Sequence, residues 1–331
     1  MLEKLILIGG SAGSITSVTE IIRRLPAHLN AAICVTIHIP STSESYLPAI
    51  FEREAQMKVK HAEDGEMLLA GTVYVARPDL HLLIQGGMIK LARGAKENRH
   101  RPAIDPMFRS GARSFGQNVL GILLSGYLDD GAAGLITLAE DGATTIIQDP
   151  RDTVYPEMPL NALEYLRPDK VALIEEMPKV ILEFCSHTGN HPELNPGVDG
   201  ESNKVLIETG DHRYSMKGEL SGFICPDCKG PLWESFASSK KSPSYRCHEG
   251  HSFGALSLAA GQNEALESAL WESLRLFDEK IDLNKRLAKK SLDENLMTAF
   301  ARYSSLIARG TTQAQLIRDI LSQGIRPETD K

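Results

Sequence analysis

From Met1 to about Phe184 the chain alternates short β-branched apolar runs with stretches whose apolar residues recur at helical spacing. The runs are LILIG, AICVTIHI, TVYVA, HLLIQ, VLGILLS, TTIIQ and VALIEE. Such alternation predicts an α/β layer fold, doubly wound around a mainly parallel sheet. Runs like GILLS carry no polar face, which suits strands covered by helices on both sides.

The pattern changes twice beyond Phe184. Residues 186–203, SHTGNHPELNPGVDGESN, hold Gly, Pro, Asn and Ser without apolar periodicity, and are expected to be a linker. Short strand-like pieces follow around a group of cysteines, and a helical pattern begins near Leu256. There Leu266, Leu270, Leu274, Phe277 and Ile281 step by four, four, three and four, a single helix face that continues through Asn284 and Ala288 to Leu292. An amphipathic helix packed on its own domain is preferred over a coiled coil or helix pair, and Gly310 is expected to stop it before a short last helix, Thr311 to Leu321. The expected domains are therefore 1–185, an α/β domain; 186–203, a linker; 204–255, a metal ribbon; and 256–331, a helical tail.

Composition removes several classes of function. With 331 residues, 42% hydrophobic and 24% charged, the chain is an ordinary globular protein. No apolar run reaches the ~20 residues that span a bilayer, and the first residues read as a strand, so neither membrane insertion nor export is expected. A formal net charge of -7 argues against a nucleic-acid partner. Cys34 and Cys185 lie in apolar stretches and the other thiols in a metal-like cluster, which fits a reducing, cytoplasmic location.

Three strand ends carry candidate chemistry. The first strand runs into Gly9-Gly10-Ser11-Ala12-Gly13-Ser14 before a helix, where small residues allow a sharp turn that presents Ser11 as a nucleophile. A Gly-rich turn here also begins dinucleotide and phosphate sites, but the segment has neither G-x-G-x-x-G nor a Walker loop. The second strand ends in Thr36-Ile37-His38-Ile39-Pro40, and an imidazole can take the serine proton and return it to a leaving group. A third strand–loop–helix, Leu123 to Gly134, offers Asp129 and Asp130, one of which could hold the imidazole tautomer; the alternative role for either is a helix N-cap.

Cys225-Pro-Asp-Cys228 is followed by Cys247 and then by His248 and His251. Two thiolates on one knuckle with Cys-x-x-x-His on the next can close a tetrahedron around a structural zinc. His251 is preferred to His248 because Gly250 lets the chain curl back toward the metal.

GGSAGS, TIHIP and LSGYLDDGAAG together resemble the nucleophile, histidine and aspartate motifs of the chemotaxis protein-glutamate methylesterase (CheB-type) family, in the same chain order. Segments AEDGEMLLAGTVYVARPDLHL, HRPAIDPMFRS and QDPRDTVYPEMPLNAL extend the likeness over residues 1 to 184, and CPDC-GPLWE and YRCHEGHSF resemble segments behind stand-alone members. The resemblance implies Ser11 as nucleophile, His38 as general base and acid, and Asp130, directly before Gly-Ala, as the orienting carboxylate, with Asp129 the decoy. It places the backbone N–H groups of Ala12 and Tyr127 beside the triad as oxyanion candidates.

The implied reaction is hydrolysis of glutamyl γ-methyl esters on methylated chemoreceptor helices or a similar signalling protein, with glutamine deamidation as an extension and no cofactor in catalysis. Departures are Ser14 where the family has glycine and Tyr127-Leu128 where it has methionine-glycine. The chain opens on the catalytic strand, so gating by a receiver domain within it is not expected. The tail is a candidate docking surface for a partner methyltransferase or regulator. The alternative reading is a weak or inactive adaptor that uses the esterase fold, ribbon and tail for docking.

Overall fold

The computed structural model describes residues 2–186, 218–236 and 243–324. The expected linker therefore lies, from residue 187 on, outside the described residues. Two compact units are present, Met1–Leu258 and Ala259–Lys331.

The first unit is built on seven parallel strands in the order β3-β4-β2-β1-β7-β8-β9. These are β1 (Leu5–Gly10), β2 (Ala32–Ile37), β3 (Lys58–His61), β4 (Thr72–Val75), β7 (Val119–Leu123), β8 (Thr144–Gln148) and β9 (Lys170–Ala172). Every residue of β1 and β2 is buried, because side chains alternate between two cores. Leu5 and Leu7 face one core, and Ile6 and Ile8 the other. On the first face pack α3 (Ile104–Phe115), α4 (Ala132–Glu140) and α5 (Glu157–Tyr165); on the second, α1 (Ser14–Arg23), α2 (Leu47–Glu52) and α6 (Met177–Ser186). The doubly wound architecture is thus as the apolar runs predict.

Two details differ from the pattern. The run HLLIQ forms β5 (His81–Gln85), which leaves the main sheet to pair antiparallel with β6 (Met88–Ala92) over α3. Its neighbours Gly86 and Gly87 both have positive φ, the backbone of a two-residue hairpin turn. Conversely β3, KVKH, is too polar to read as a strand and exists because it lies at the sheet edge.

The four-stranded antiparallel ribbon belongs to this same unit rather than standing apart. It comprises β10 (Glu219–Ile224), β11 (Pro231–Phe236), β12 (Pro243–Cys247) and β13 (Ser252–Phe253), around Cys225, Leu232, Tyr245, Cys247, Phe253 and Leu258. A core of that size is too small to fold unaided. Backbone hydrogen bonds, from Ser252 N–H to Lys96 O and from Asn98 N–H to Ser252 O, join it to the α/β layers.

The second unit holds most of α7 (Ala255–Asp293) and all of α8 (Met297–Gln323). The turn between them, with Asn295 at φ 58, folds α8 back, so that Leu274, Phe277 and Ile281 meet Ile307, Ala314 and Ile317. The seam residues are therefore partnered by a second helix. Gly310 does not end a helix: α8 runs through it, because a Cβ there would come 3.0 Å from Ile281 Cγ1 and glycine permits the close approach. Among the described residues no helix is long and apolar enough to cross a membrane.

Candidate active site

β2, β1 and β7 are adjacent, and the chain leaves β1 toward β2 on one side and returns to β7 on the other. Ligand sites of open α/β sheets form at the carboxyl ends of strands around such a reversal. Ser11 follows β1, His38 follows β2, and the loop 124–131 follows β7. The register carries them into contact: His38 N–H donates to Gly10 O, and Ser11 N–H donates to Ser125 O at 2.9 Å.

Ser11 Oγ lies 3.1 Å from His38 Nδ1, and His38 Nε2 lies 2.6 Å from Asp130 Oδ2. With the imidazole proton on Nε2 and donated to Asp130, Nδ1 presents a lone pair to the serine hydroxyl. This is the reverse nitrogen assignment from the serine-protease triad, with the same logic. The His38 side chain is 5% exposed and is stacked face to face on His100, with ring centroids 3.7 Å apart and planes 8° from parallel. Burial and the neighbouring His38 push the His100 pKa down to about 3, so the stacking partner is a neutral ring.

Asp130 is buried and accepts four hydrogen bonds. Oδ2 takes His38 Nε2 and Ile104 N–H at 2.7 Å; Oδ1 takes Asn98 Nδ2 at 2.9 Å and Asp105 N–H at 3.2 Å. Burial alone would raise its pKa, but these donors and the imidazole overcome that and hold it well below the usual carboxylate range. Ile104 and Asp105 begin α3, whose preceding residue Ala103 offers no side-chain cap, so Asp130 caps the helix from across the fold. Asp105 does the same for α4, accepting Gly134 N–H at 2.6 Å; burial and the Asp130 charge push its own pKa up.

Asp129 points elsewhere. Its carboxylate accepts Leu256 N–H at 3.0 Å, Ser257 N–H at 3.2 Å and the Ser257 hydroxyl, at the start of α7. The two adjacent aspartates therefore occupy the two roles that the sequence left open, one on the imidazole and one on a helix terminus.

Around Ser11, Gly126 N–H is engaged by Tyr155 O, and Ser125 Oγ donates to Ala12 O. The N–H groups of Ala12 and Tyr127 have no acceptor among the described residues. Ser14 is buried with its hydroxyl on Ser11 O at 2.6 Å, so it braces the turn. Tyr127 is 46% exposed and packs against Tyr155 with centroids 4.7 Å apart, forming an aromatic rim beside the serine.

Asn98, His100 and Asp105 were not singled out by sequence reasoning. Their segment, KENRHRPAID, has no periodicity that announces a site; only its tertiary position does. Two arginines of this region are committed within the protein: Arg101 pairs with Asp79, and Arg109 pairs with Glu97 at 2.6 Å.

Cys225, Cys228, Cys247 and His251 bring their ligand atoms within 4.8 Å of one another, a group that could hold a metal ion. Cys228 Sγ to Cys247 Sγ is 3.5 Å, and His251 Nδ1 is 3.4 Å from Cys247 Sγ and 3.8 Å from Cys225 Sγ. Tetrahedral zinc with thiolates at ~2.3 Å has ligand–ligand edges of roughly 3.7 Å, so the donor set fits. Gly250, at φ 92, makes the turn that returns His251, while His248 is exposed and outside the cluster.

Comparison with known proteins bears on the α/β layers. The family model described as CheB methylesterase matches residues 6–181. A Geobacter metallireducens protein named protein-glutamate methylesterase/protein-glutamine glutaminase 1 is 35% identical over 192 residues, 57% of this chain and 53% of that protein. A Salmonella typhi protein, named protein-glutamate methylesterase/protein-glutamine glutaminase, is 37% identical over 165 residues, 49% of this chain and 47% of that one. The chain thus spans about half the length of the curated relatives it matches. The crystal structure of the Thermotoga maritima CheB methylesterase catalytic domain is similar with a TM-score of 0.53 and 30% identity, covering 55% of this chain and 99% of that domain.

Proposed function

The chain belongs to the CheB methylesterase family, whose model matches more than half of it, and on that premise we propose that it is a serine hydrolase that removes methyl groups from glutamyl γ-methyl esters of chemoreceptor cytoplasmic helices. The observation that carries this reading is the continuous Ser11–His38–Asp130 hydrogen-bond chain at three adjacent strand ends.

In this mechanism His38 Nδ1 takes the Ser11 proton as Oγ attacks the ester carbonyl carbon. The imidazolium that forms is stabilised by the buried Asp130 carboxylate. The tetrahedral oxyanion is met by the N–H groups of Ala12 and Tyr127 at the amino end of α1 and beside it, both free to donate. His38 then returns the proton to the departing methoxide, and methanol leaves. Water, deprotonated by His38, attacks the acyl-serine, and collapse of the second intermediate returns the proton to Ser11 and frees the glutamate. A glutamine side chain can follow the same path with ammonia as leaving group, which supports deamidation as a second activity. The Tyr127–Tyr155 rim is suited to apolar flanks of a substrate helix.

We assign Cys225, Cys228, Cys247 and His251 to a structural zinc, because four protein ligands leave no open position for chemistry. One zinc per purified chain, lost together with ribbon stability on chelation, is the expected result; a metal-free chain indifferent to chelators overturns the assignment.

Methanol release from methylated chemoreceptor fragments tests the reaction. Wild type should release methanol and Ser11→Ala should not, with the fold unchanged. Equal release from both removes Ser11 from the mechanism. Release from neither favours the adaptor reading.

A further inference from the structure

The turn that joins the ribbon to the active site is made by residues 96–100. Its backbone is paired to β13: Asn98 N–H donates to Ser252 O at 2.7 Å, and Ser252 N–H to Lys96 O at 3.4 Å. Ser252 directly follows His251 of the thiol–imidazole cluster. The same turn ends at His100, the ring stacked on His38.

Asn98 itself is 4% exposed and held at φ 48, a left-handed backbone that asparagine tolerates. Its carboxamide is fully used. Oδ1 accepts Gly254 N–H at 2.8 Å, from the joint between β13 and α7; Nδ2 donates to Asp130 Oδ1 and to Asp105 Oδ2, each at 2.9 Å. Only an amide can accept from the ribbon and donate to two carboxylates at once. Asp129, next to Asp130, grips the far side of that joint through Leu256 and Ser257.

We propose that Asn98 is a positioning residue that couples the Cys225–Cys228–Cys247–His251 metal ribbon to the triad, so that an intact ribbon is required for full turnover. The inference rests on the serine-hydrolase and metal assignments above. With the ribbon ordered, Gly254 fixes the amide carbonyl and thereby aims Nδ2 at Asp130. With the ribbon released, the amide can rotate off Asp130, and the imidazole loses its oriented carboxylate. Misplacement of a catalytic group by ~1 Å costs on the order of 100-fold in rate.

The test uses the full chain, with p-nitrophenyl acetate as ester probe and with 15N and 1H NMR of the His38 imidazole as a second readout. The variants are Asn98→Gly, which keeps the left-handed backbone while deleting the amide, and Ser11→Ala as control. Chelation of wild type and the Asn98→Gly substitution in the zinc-loaded chain should each lower kcat by about 100-fold with KM little changed. Each should also shift or broaden the His38 Nε2–H resonance. Chelating Asn98→Gly should add little, because the coupling is already cut. Equal further loss on chelating the variant, or an unmoved His38 resonance in either case, overturns the proposal. Ester turnover unaffected by Ser11→Ala would instead overturn the hydrolase reading, and the resonance would still decide the coupling.

Discussion

Replacing Asp130 by asparagine keeps the side-chain shape and turns one of two acceptor oxygens into a donor. Both oxygens already receive two donors each, from His38 and Ile104 on one side and from Asn98 and Asp105 on the other. Whichever way the new amide faces, its NH2 meets donors. If it replaces Oδ1, Asn98 and the Asp105 N–H are orphaned in a buried site, at about 1–3 kcal/mol for each unsatisfied group. If it replaces Oδ2, the Ile104 N–H is orphaned and the imidazole can recover a bond only by moving its proton to Nδ1. That tautomer cannot accept the Ser11 proton.

Removing the buried charge offsets part of the cost, since it also relieves Asp105, whose pKa the Asp130 charge helps to raise. A net loss of about 2 kcal/mol, or roughly 4–8 °C in Tm for a unit of this size, is expected. The rate effect is larger: the same replacement in the serine-protease triad lowers kcat by about 10⁴ through the wrong tautomer. Methanol release and a thermal melt on one preparation separate the two effects. Turnover within tenfold of wild type, in a chain that melts normally, would refute the assignment of Asp130 as the orienting carboxylate.

Gly126→Ala tests the tightness of the serine's surroundings. Its Cβ would fall 2.7 Å from Ser11 Cβ and 2.6 Å from Met158 Cε, so Ser11 should move and kcat should fall roughly 100-fold with the secondary structure intact; unaltered kinetics would mean that the turn yields freely. The half-buried His100, with its pKa pushed down to about 3, should stay neutral from pH 8 to pH 5 in an NMR titration, and a step near 6.5 would show that it is neither desolvated nor stacked. Its depressed pKa favours the unfolded chain as pH falls below about 6.5, whereas Asp105, raised to about 7, favours the folded chain as pH falls from about 7 toward the ordinary carboxylate value of 3.8. The two effects oppose, so the titration is the cleaner measurement.

The α/β layers were legible because β1, β2 and β7 are apolar on both faces and each ends in a small or polar turn. The helix pair of the second unit was half legible: the Leu274–Phe277–Ile281 seam is visible locally, but its partner on α8 is separated by a turn and interrupted by Gly310, which reads as a stop until Ile281 is seen beside it. The donor set Cys225, Cys228, Cys247 and His251 follows from spacing and from the turn at Gly250, both local features.

By itself, then, the sequence determined the strand and helix series, the three strand-end segments bearing Ser11, His38 and the Asp129–Asp130 pair, and the metal-type spacing, since each depends on residues within a few positions of one another. The local pattern left the two aspartates open and the resemblance implied Asp130; the tertiary structure puts Asp130 on the imidazole and Asp129 on the first turn of α7. It alone brought His100 onto His38, made Asp130 and Asp105 the caps of α3 and α4, and joined the ribbon to the triad through Asn98. Each of these is a contact between residues far apart in the chain, and a helix terminus capped by a distant carboxylate leaves no mark on its own sequence.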